Sequence, residues 1–499
     1  MPQIPGREPK IALNEVTSRN SASLSRRELF PLLAGGALAP ILPRVSFPFT
    51  NDDGGRDYPP KVIEDPILRE QLERFQDWKF GLFMHWGIYS IWGAVESWPM
   101  EGAEGYGRTS LPQWKECDGD LDEFRRRYRA LKSEFNPQQF EVEPWVEAAK
   151  AAGMRYCIFT TKHHDGFCMF PTVHTDFRVG DPGCPFHADP RSDIAGKIFS
   201  AFRKAGFATG AYFSKPDWNH QDFWDPSLPA PNKYPNYDVA AHPKRWAKFK
   251  KFLHAQVDEL MTQYHPDILW FDGSWVQAPK YDIDIDAVAR SARNKNRRVI
   301  VVDRWVAGPH ENYYTPEQKI PPAPLAHPWE SCISMGDQWS YKPNERYKSV
   351  RQLIHLLVEV VAKGGNLLLN IGPGPDGRWD PIAHERMKGI ASWMSVNSEA
   401  IHGTRSIAPY RADRVAFTQK GKTLYVIHLA EQSETGPPSE IIFPLKVAEG
   451  SRMTLLGAPR RSEPLVAFER DGKTRVQIPE SIRRAPPCTD AWTLKIEKR

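Results

Sequence analysis

At 499 residues, 40% hydrophobic and 25% charged, the chain has the composition of a soluble globular protein with room for two or three domains. Its 66 basic residues are interspersed with 61 acidic ones, and a net charge of +5 spread in that way argues against a nucleic-acid partner. Six scattered cysteines show no zinc spacing and read as free thiols, and no run reaches the roughly 20 apolar residues of a membrane span, so no membrane association of the mature chain is expected.

Residues 1–20 are polar and irregular. Ser25-Arg26-Arg27-Glu28-Leu29-Phe30, followed by a small-residue apolar run to Ile41-Leu42, resembles a bacterial twin-arginine export signal. Ala37-Leu38-Ala39 is similar to a cleavage box, and residues 44–60, rich in Pro, Gly and Asp, read as a linker. Export to the periplasm or beyond is the expectation, with residues 1–60 outside the fold.

From residue 64 a repeating pattern begins. Residues 79–84 form a short apolar strand ending in His85-Trp86-Gly87, and 156–161 end in Lys162-His163-His164-Asp165-Gly166. Residues 208–213 end in Ser214-Lys215-Pro216, 268–271 in Asp272-Gly273, and 299–302 in Asp303-Arg304-Trp305. Residues 366–371 read the same way, and Trp329-Glu330 marks a further short strand. Helical periodicity fills the intervals at 140–152, 193–204, 243–264, 284–294, 347–362 and 381–396, with Asp193 as an N-cap and Pro243 in a first turn. A variable loop holds Thr315-Pro316-Glu317. Alternation of strands with helices predicts parallel β–α units. The expected class is α/β, a (β/α)8-like barrel, irregular or incomplete, over residues 61–404. A doubly wound sheet is the alternative, weakened by the lack of a G-x-G-x-x-G or Walker loop.

After residue 405 the period changes. Residues 415–418 and 424–429 flank a Lys-Gly-Lys turn, 465–469 and 475–478 flank Asp471-Gly472, and 492–496 alternate as a last strand. These features predict a small C-terminal β-sandwich over 405–499, with a packing role.

Chemistry in parallel barrels sits at the C-terminal strand ends. Here those ends offer carboxylates, histidines, an arginine and aromatics, with no G-x-S-x-G elbow and no H-E-x-x-H. That inventory suits glycosidic hydrolysis, which needs one carboxyl group to protonate the leaving oxygen and another to meet the positive sugar carbon. Asp272 is the candidate for the second task; an N-cap role is its plain alternative. His163 and His164 with Asp165 could suggest a metal, but alternate strand residues point opposite ways, so neither metal nor cofactor is expected.

Four blocks then resemble, in order, the α-L-fucosidases of glycoside hydrolase family 29. They are Phe80-Gly81-Leu82-Phe83-Met84-His85-Trp86-Gly87, Thr160-Thr161-Lys162-His163-His164-Asp165-Gly166-Phe167, Trp270-Phe271-Asp272-Gly273, and the run from Lys363-Gly364-Gly365-Asn366 to Ile371-Gly372-Pro373. The resemblance implies a barrel followed by a β-sandwich. It also implies retaining removal of α-L-fucose from a fucosylated oligosaccharide or glycoconjugate through a covalent fucosyl–enzyme intermediate. Asp272 occupies the nucleophile's position and Arg304 that of an arginine beside it. The family's acid/base follows some tens of residues later in a variable loop; Glu317 fits, with Glu330 and Glu311 as rivals. His85, His163 and His164 match hydroxyl-binding histidines and Tyr212 a site tyrosine. Glu96 and Trp98 stand where the family has adjacent Glu and Trp, here separated by Ser97. An α-L-galactosidase-like specificity and an inactive fucose-binding protein are the alternatives, and retention of both Asp272 and Glu317 argues against the latter.

Overall fold

The computed structural model describes residues 61–103, 105–459 and 463–497; the export-signal segment lies outside them. Seven parallel strands run β1 (Phe80–Met84), β2 (Tyr156–Lys162), β3 (Ala208–Ser214), β4 (Ile268–Asp272), β5 (Ile300–Asp303), β6 (Glu330–Ser334) and β7 (Asn366–Asn370). Their order across the sheet is β5-β4-β3-β2-β1-β7-β6. The expected strands are all present, most within a residue or two of their predicted ends.

The gap between β5 and β6 is closed by residues 312–318, the stretch expected to be a variable loop. Asn312 N–H donates to the Val301 carbonyl at 2.7 Å, tying this segment to β5. On the other side, isolated parallel bridges join Tyr314 to Trp329 and Glu317 to Cys332, and Gln318 N–H donates to the Cys332 carbonyl at 2.9 Å. Pro316 has no N–H to give and Gln318 sits at φ +51°, so the ladder cannot run as a regular strand. The segment nonetheless serves as an eighth stave.

Side-chain parity divides each stave between barrel lumen and helical layer. Phe83, Tyr156, Ile158, Tyr212, Ile268, Trp270, Ile300, Val302, Tyr313, Cys332 and Leu368 form one buried cluster inside the cylinder, while their strand neighbours pack outward against the helices. Gly81 makes this possible: a Cβ there would meet the Tyr156 ring at about 2.4 Å. The helix Pro66–Trp78, which sequence reading passed over, is capped by Asp65 and sends Leu72 and Phe75 into the same lumen cluster. Helix Pro243–Tyr264 has the expected bounds. The helix expected from residue 347 starts later, at Val350, because Ser349 and Gln352 form a capping box there.

The C-terminal segment contains two antiparallel sheets. One comprises β8 (Arg405–Ala412), β9 (Val415–Lys420), β10 (Thr423–Leu429), β12 (Arg452–Leu455) and β15 (Ala491–Glu497); the other comprises β11 (Glu440–Phe443), β13 (Val466–Arg470) and β14 (Lys473–Gln477). Period-two alternation on β10 puts Leu424 and Val426 between the sheets with Ile441, Phe443 and Val476. Tyr425, Ile427 and Leu429 face the barrel's core instead. Trp393 Nε1–H donates to the Ala491 carbonyl at 2.9 Å and Thr493 Oγ1–H to Asn397 Oδ1 at 2.7 Å, fastening the sandwich to helix Pro381–Asn397.

Candidate active site

The same parity that fills the lumen delivers the polar strand ends to its upper rim. His85 continues the inward face of Gly81 and Phe83, Asp272 that of Ile268 and Trp270, Arg304 that of Ile300 and Val302, and Asn370 that of Leu368. On the eighth stave Tyr313, Thr315 and Glu317 share one parity. Register places Ser214 opposite Asp272 and Tyr212 opposite Trp270.

Asp272 is almost fully buried and fully engaged. Its Oδ2 accepts from the Tyr212 hydroxyl at 2.6 Å, and its Oδ1 accepts from Gly273 N–H at 2.7 Å and lies 3.0 Å from Arg304 Nε. Burial alone would raise this carboxyl; the Arg304 cation, the Tyr212 hydroxyl and the Gly273 amide outweigh it and hold it at about 2. Arg304 Nη1 also lies 2.6 Å from Glu317 Oε2. One guanidinium thus touches two carboxylates carried by different staves.

The histidines around this pair are neutral near pH 7. Burial pushes His85 down to about 4, His164 to about 3 and His163 well below its usual range. His85 Nδ1–H donates to Asn370 Oδ1 at 2.7 Å, leaving Nε2 as an acceptor. Ser214 donates its hydroxyl to the Pro216 carbonyl and accepts from His164 Nδ1–H, both at 2.7 Å. His164 therefore also presents a bare Nε2, 3.8 Å from Asp272 Oδ2. His163 Nδ1 is hydrogen-bonded to Ser97 Oγ. Two imidazole acceptors of this kind suit sugar hydroxyls, which must donate somewhere when desolvated.

Glu96, Ser97 and Trp98 all reach the site despite the extra residue. Glu96 has a left-handed backbone (φ +43°) and Trp98 opens a short 3-10 turn, which together take up the insertion. Glu96 Oε1 accepts from Ser340 N–H at 2.7 Å, while Oε2 is buried without a hydrogen-bond partner. Burial raises Glu96 to about 8, and the negative charges of Glu317 and Asp272 push the same way. Trp98 stands edge-on to His164 at 5.2 Å.

The rival glutamates lie elsewhere. Glu330 points inward but from the first residue of β6, below the rim, where it accepts from Tyr156 OH at 2.7 Å and Trp270 Nε1–H at 3.1 Å. Glu311 is paired with Lys61. His163 and His164 do not point the opposite ways that strand alternation predicts. β2 ends at Lys162 after a register shift, and in the turn that follows His163 and His164 project together, ring centroids 4.1 Å apart. With Asp272 they form a group whose ligating atoms lie within 4.8 Å. Asp165 turns away to accept from Tyr128 OH at 2.8 Å. The Asp272 carboxylate already has the Arg304 cation against it, and a second cation there would meet direct repulsion.

Sequence reading missed several wall residues. Trp339 lies tilted on His85 at 5.2 Å, and Phe83 faces both Trp270 and Trp339 at 5.3 and 6.1 Å. Trp339 sits in an aperiodic loop that gave no signal; Trp275, 5.0 Å from His164, follows the Asp272 motif by three residues and could have been flagged.

Comparison with known proteins agrees with this geometry. The α-L-fucosidase family model matches residues 57–399. Human tissue α-L-fucosidase is 30% identical over 447 residues, covering 85% of this chain and 88% of its own. The Thermotoga maritima α-fucosidase, solved also with fucose and with a mechanism-based inhibitor, superposes with TM-scores of 0.66–0.68 at 28% identity, covering 85–86% of this chain and 98% of the other. α-L-Fucosidase isoenzyme 1 from Paenibacillus thiaminolyticus gives 0.68 at 26% identity, covering 86% and 99%. With barrel, sandwich and family match in agreement, the chain belongs to the α-L-fucosidases of glycoside hydrolase family 29.

Proposed function

We propose that Asp272 is the nucleophile and Glu317 the acid/base of a retaining exo-hydrolysis that releases α-L-fucose from fucosylated glycans. The observation that carries this assignment is Arg304, in contact with both carboxylates at once at the barrel's C-terminal rim. A retaining mechanism needs its two carboxyl groups close together, about 5–5.5 Å apart, and two acids that share one planar cation favour that reading. Ionised Asp272 attacks C1 while Glu317 protonates the departing oxygen; a bond forms between Oδ of Asp272 and C1, and the C1–O bond breaks. Water then displaces the carboxylate, giving its proton to Glu317. His85, His163 and His164 accept hydrogen bonds from sugar hydroxyls, protonated Glu96 donates one, and Trp98, Tyr212 and Arg304 complete the sugar contacts.

An apolar wall of Phe83, Trp270 and Trp339 beside His85 supports a methyl group in this position over a hydroxymethyl group. That difference is worth about 1–3 kcal/mol, enough to favour fucose over L-galactose. The sandwich over 405–499 supports the barrel by packing, and Arg26-Arg27 before an apolar segment supports twin-arginine export. The decisive experiment uses aryl α-L-fucosides. Asp272→Gly abolishes turnover and azide partly restores it as a fucosyl azide, whereas Glu317→Ala loses most on poor leaving groups. Activity of Asp272→Gly near the wild-type level refutes the nucleophile; an unaltered leaving-group dependence in Glu317→Ala refutes the acid/base.

A further inference from the structure

Beside the fucose pocket Trp98, Tyr106, Lys233 and Trp275 are only half-buried, which leaves the side they line open to a leaving group. Trp275 stands edge-on to His164 at 5.0 Å and tilted to Trp98 at 5.6 Å, and Trp98 stands edge-on to Tyr106 at 5.6 Å. Three indoles fasten one loop beside them. Trp218 and Trp275 both donate Nε1–H to the Lys233 carbonyl, at 3.3 and 3.0 Å, and Trp224 donates to the Tyr234 carbonyl at 2.8 Å. The Lys233 ammonium is thereby held 5.3 Å from the Trp275 ring and 5.8 Å from the Trp98 ring.

Resting on the fucosidase reading above, we propose that Trp275 and Lys233 form the subsite for the leaving group and that it accepts a pyranose ring. A pyranose has an apolar C–H face and a rim of hydroxyls. The indole of Trp275 answers the first with a large rigid surface that loses little entropy on binding, because its own N–H bond already fixes its orientation. The Lys233 ammonium, with three donors, answers the second. The Trp275 indole reaches His164, which is 3.8 Å from Asp272, so a ring resting there lies one sugar unit from the reacting carbon.

The test compares substrates with and without a leaving-group sugar. α-L-Fucosyl fluoride has none; α-L-fucosyl-galactose and α-L-fucosyl-N-acetylglucosamine each have one. Trp275→Ala is expected to lower the ratio of kcat/KM on the disaccharides to that on the fluoride by about tenfold, the worth of one aromatic stacking contact. Trp275→Phe is expected to restore most of that ratio, and Lys233→Met to lower it by a smaller factor. Equal losses on all substrates, or an unchanged ratio in every variant, overturn the subsite. Should Trp275→Ala fail to fold, Trp275→Phe and Lys233→Met decide on the same ratio. If wild-type enzyme hydrolyses none of the fucosides, the fucosidase reading itself has failed, and that outcome is distinct from failure of the subsite.

Discussion

Arg304 is where the electrostatics of this site can be tested most sharply. Its side chain is 9% exposed, those of Asp272 and Glu317 7% and 9%, so the three groups interact with little solvent screening. In Arg304→Met two carboxylates are left buried side by side with no cation between them. Loss of an adjacent guanidinium raises a carboxyl by about 1–3 pKa units, at about 1.4 kcal/mol per unit. Starting from about 2, Asp272 would titrate between roughly 3 and 5, with burial acting against its ionised form. A depressed folded-state pKa stabilises above the unfolded value of about 3.9, and that stability is lost as pH falls through the folded value. The variant therefore loses its ionised nucleophile at higher pH than the wild type does, and the stability that ionised Asp272 contributes above about pH 4 is reduced or abolished. The assay is kcat/KM over about pH 3 to 9 on an activated aryl fucoside, which does not depend on proton donation by Glu317, together with thermal melts. The wild type's acid limb, near 2, lies below that range; Arg304→Met should bring it up by about 1–3 units, into view, and Arg304→Lys by less. An acid limb that stays in place in both variants refutes the claim that Arg304 keeps Asp272 ionised.

Glu96, raised to about 8, is a neutral donor at pH 7 and becomes a further negative charge beside Asp272 as pH climbs through that value. The alkaline fall in kcat/KM near pH 8 should disappear in Glu96→Gln; its persistence would assign that limb to another group. Glu330→Leu strips the acceptor from Tyr156 OH and Trp270 Nε1–H, each a loss of about 1–3 kcal/mol, so the melting temperature should drop by several degrees. Its leaving-group dependence should match the wild type, since a change there would make Glu330 part of the proton transfer. Prolonged chelation should leave activity intact, and loss restored by one particular divalent ion would place a metal on His163, His164 and Asp272.

Much of this was legible because parallel barrel strands carry two independent signals. Four or five apolar residues mark the strand, and the first polar residues after them mark the rim; Asp272, Arg304 and His85 all obey that rule and all arrive at the site. The rule fails where backbone departs from ideal geometry. Strand parity gave the wrong orientation for His163 and His164, which lie beyond a register shift in a turn. Residues 312–318 look like a loop because they hold no aliphatic run and Pro316 removes a ladder donor, yet Gln318 pins the segment through its side chain, Nε2–H donating to Ser334 Oγ at 3.1 Å. Trp275 and Trp339 belong to irregular segments, where no period announces which face of the chain a ring will take.

The choice between Glu317 and Glu330 shows what sequence neighbourhood lacks and register supplies. Both glutamates sit on staves of the same wall and both share the inward parity. In the ladder, however, Glu317 is level with Cys332 and Glu330 with Asn366, so Glu317 stands one inward step nearer the C-terminal rim. One such step is two residues, about 6.6 Å along a strand. That displacement exceeds the reach of a hydrogen bond, so only one of the two can share Arg304 with Asp272. The other is left among Tyr156 and Trp270, where its oxygens are already occupied by neutral donors. A two-residue difference in ladder height, set by where Pro316 lets the eighth stave pair, thus separates the carboxyl group proposed for proton transfer from one that accepts hydrogen bonds inside the barrel.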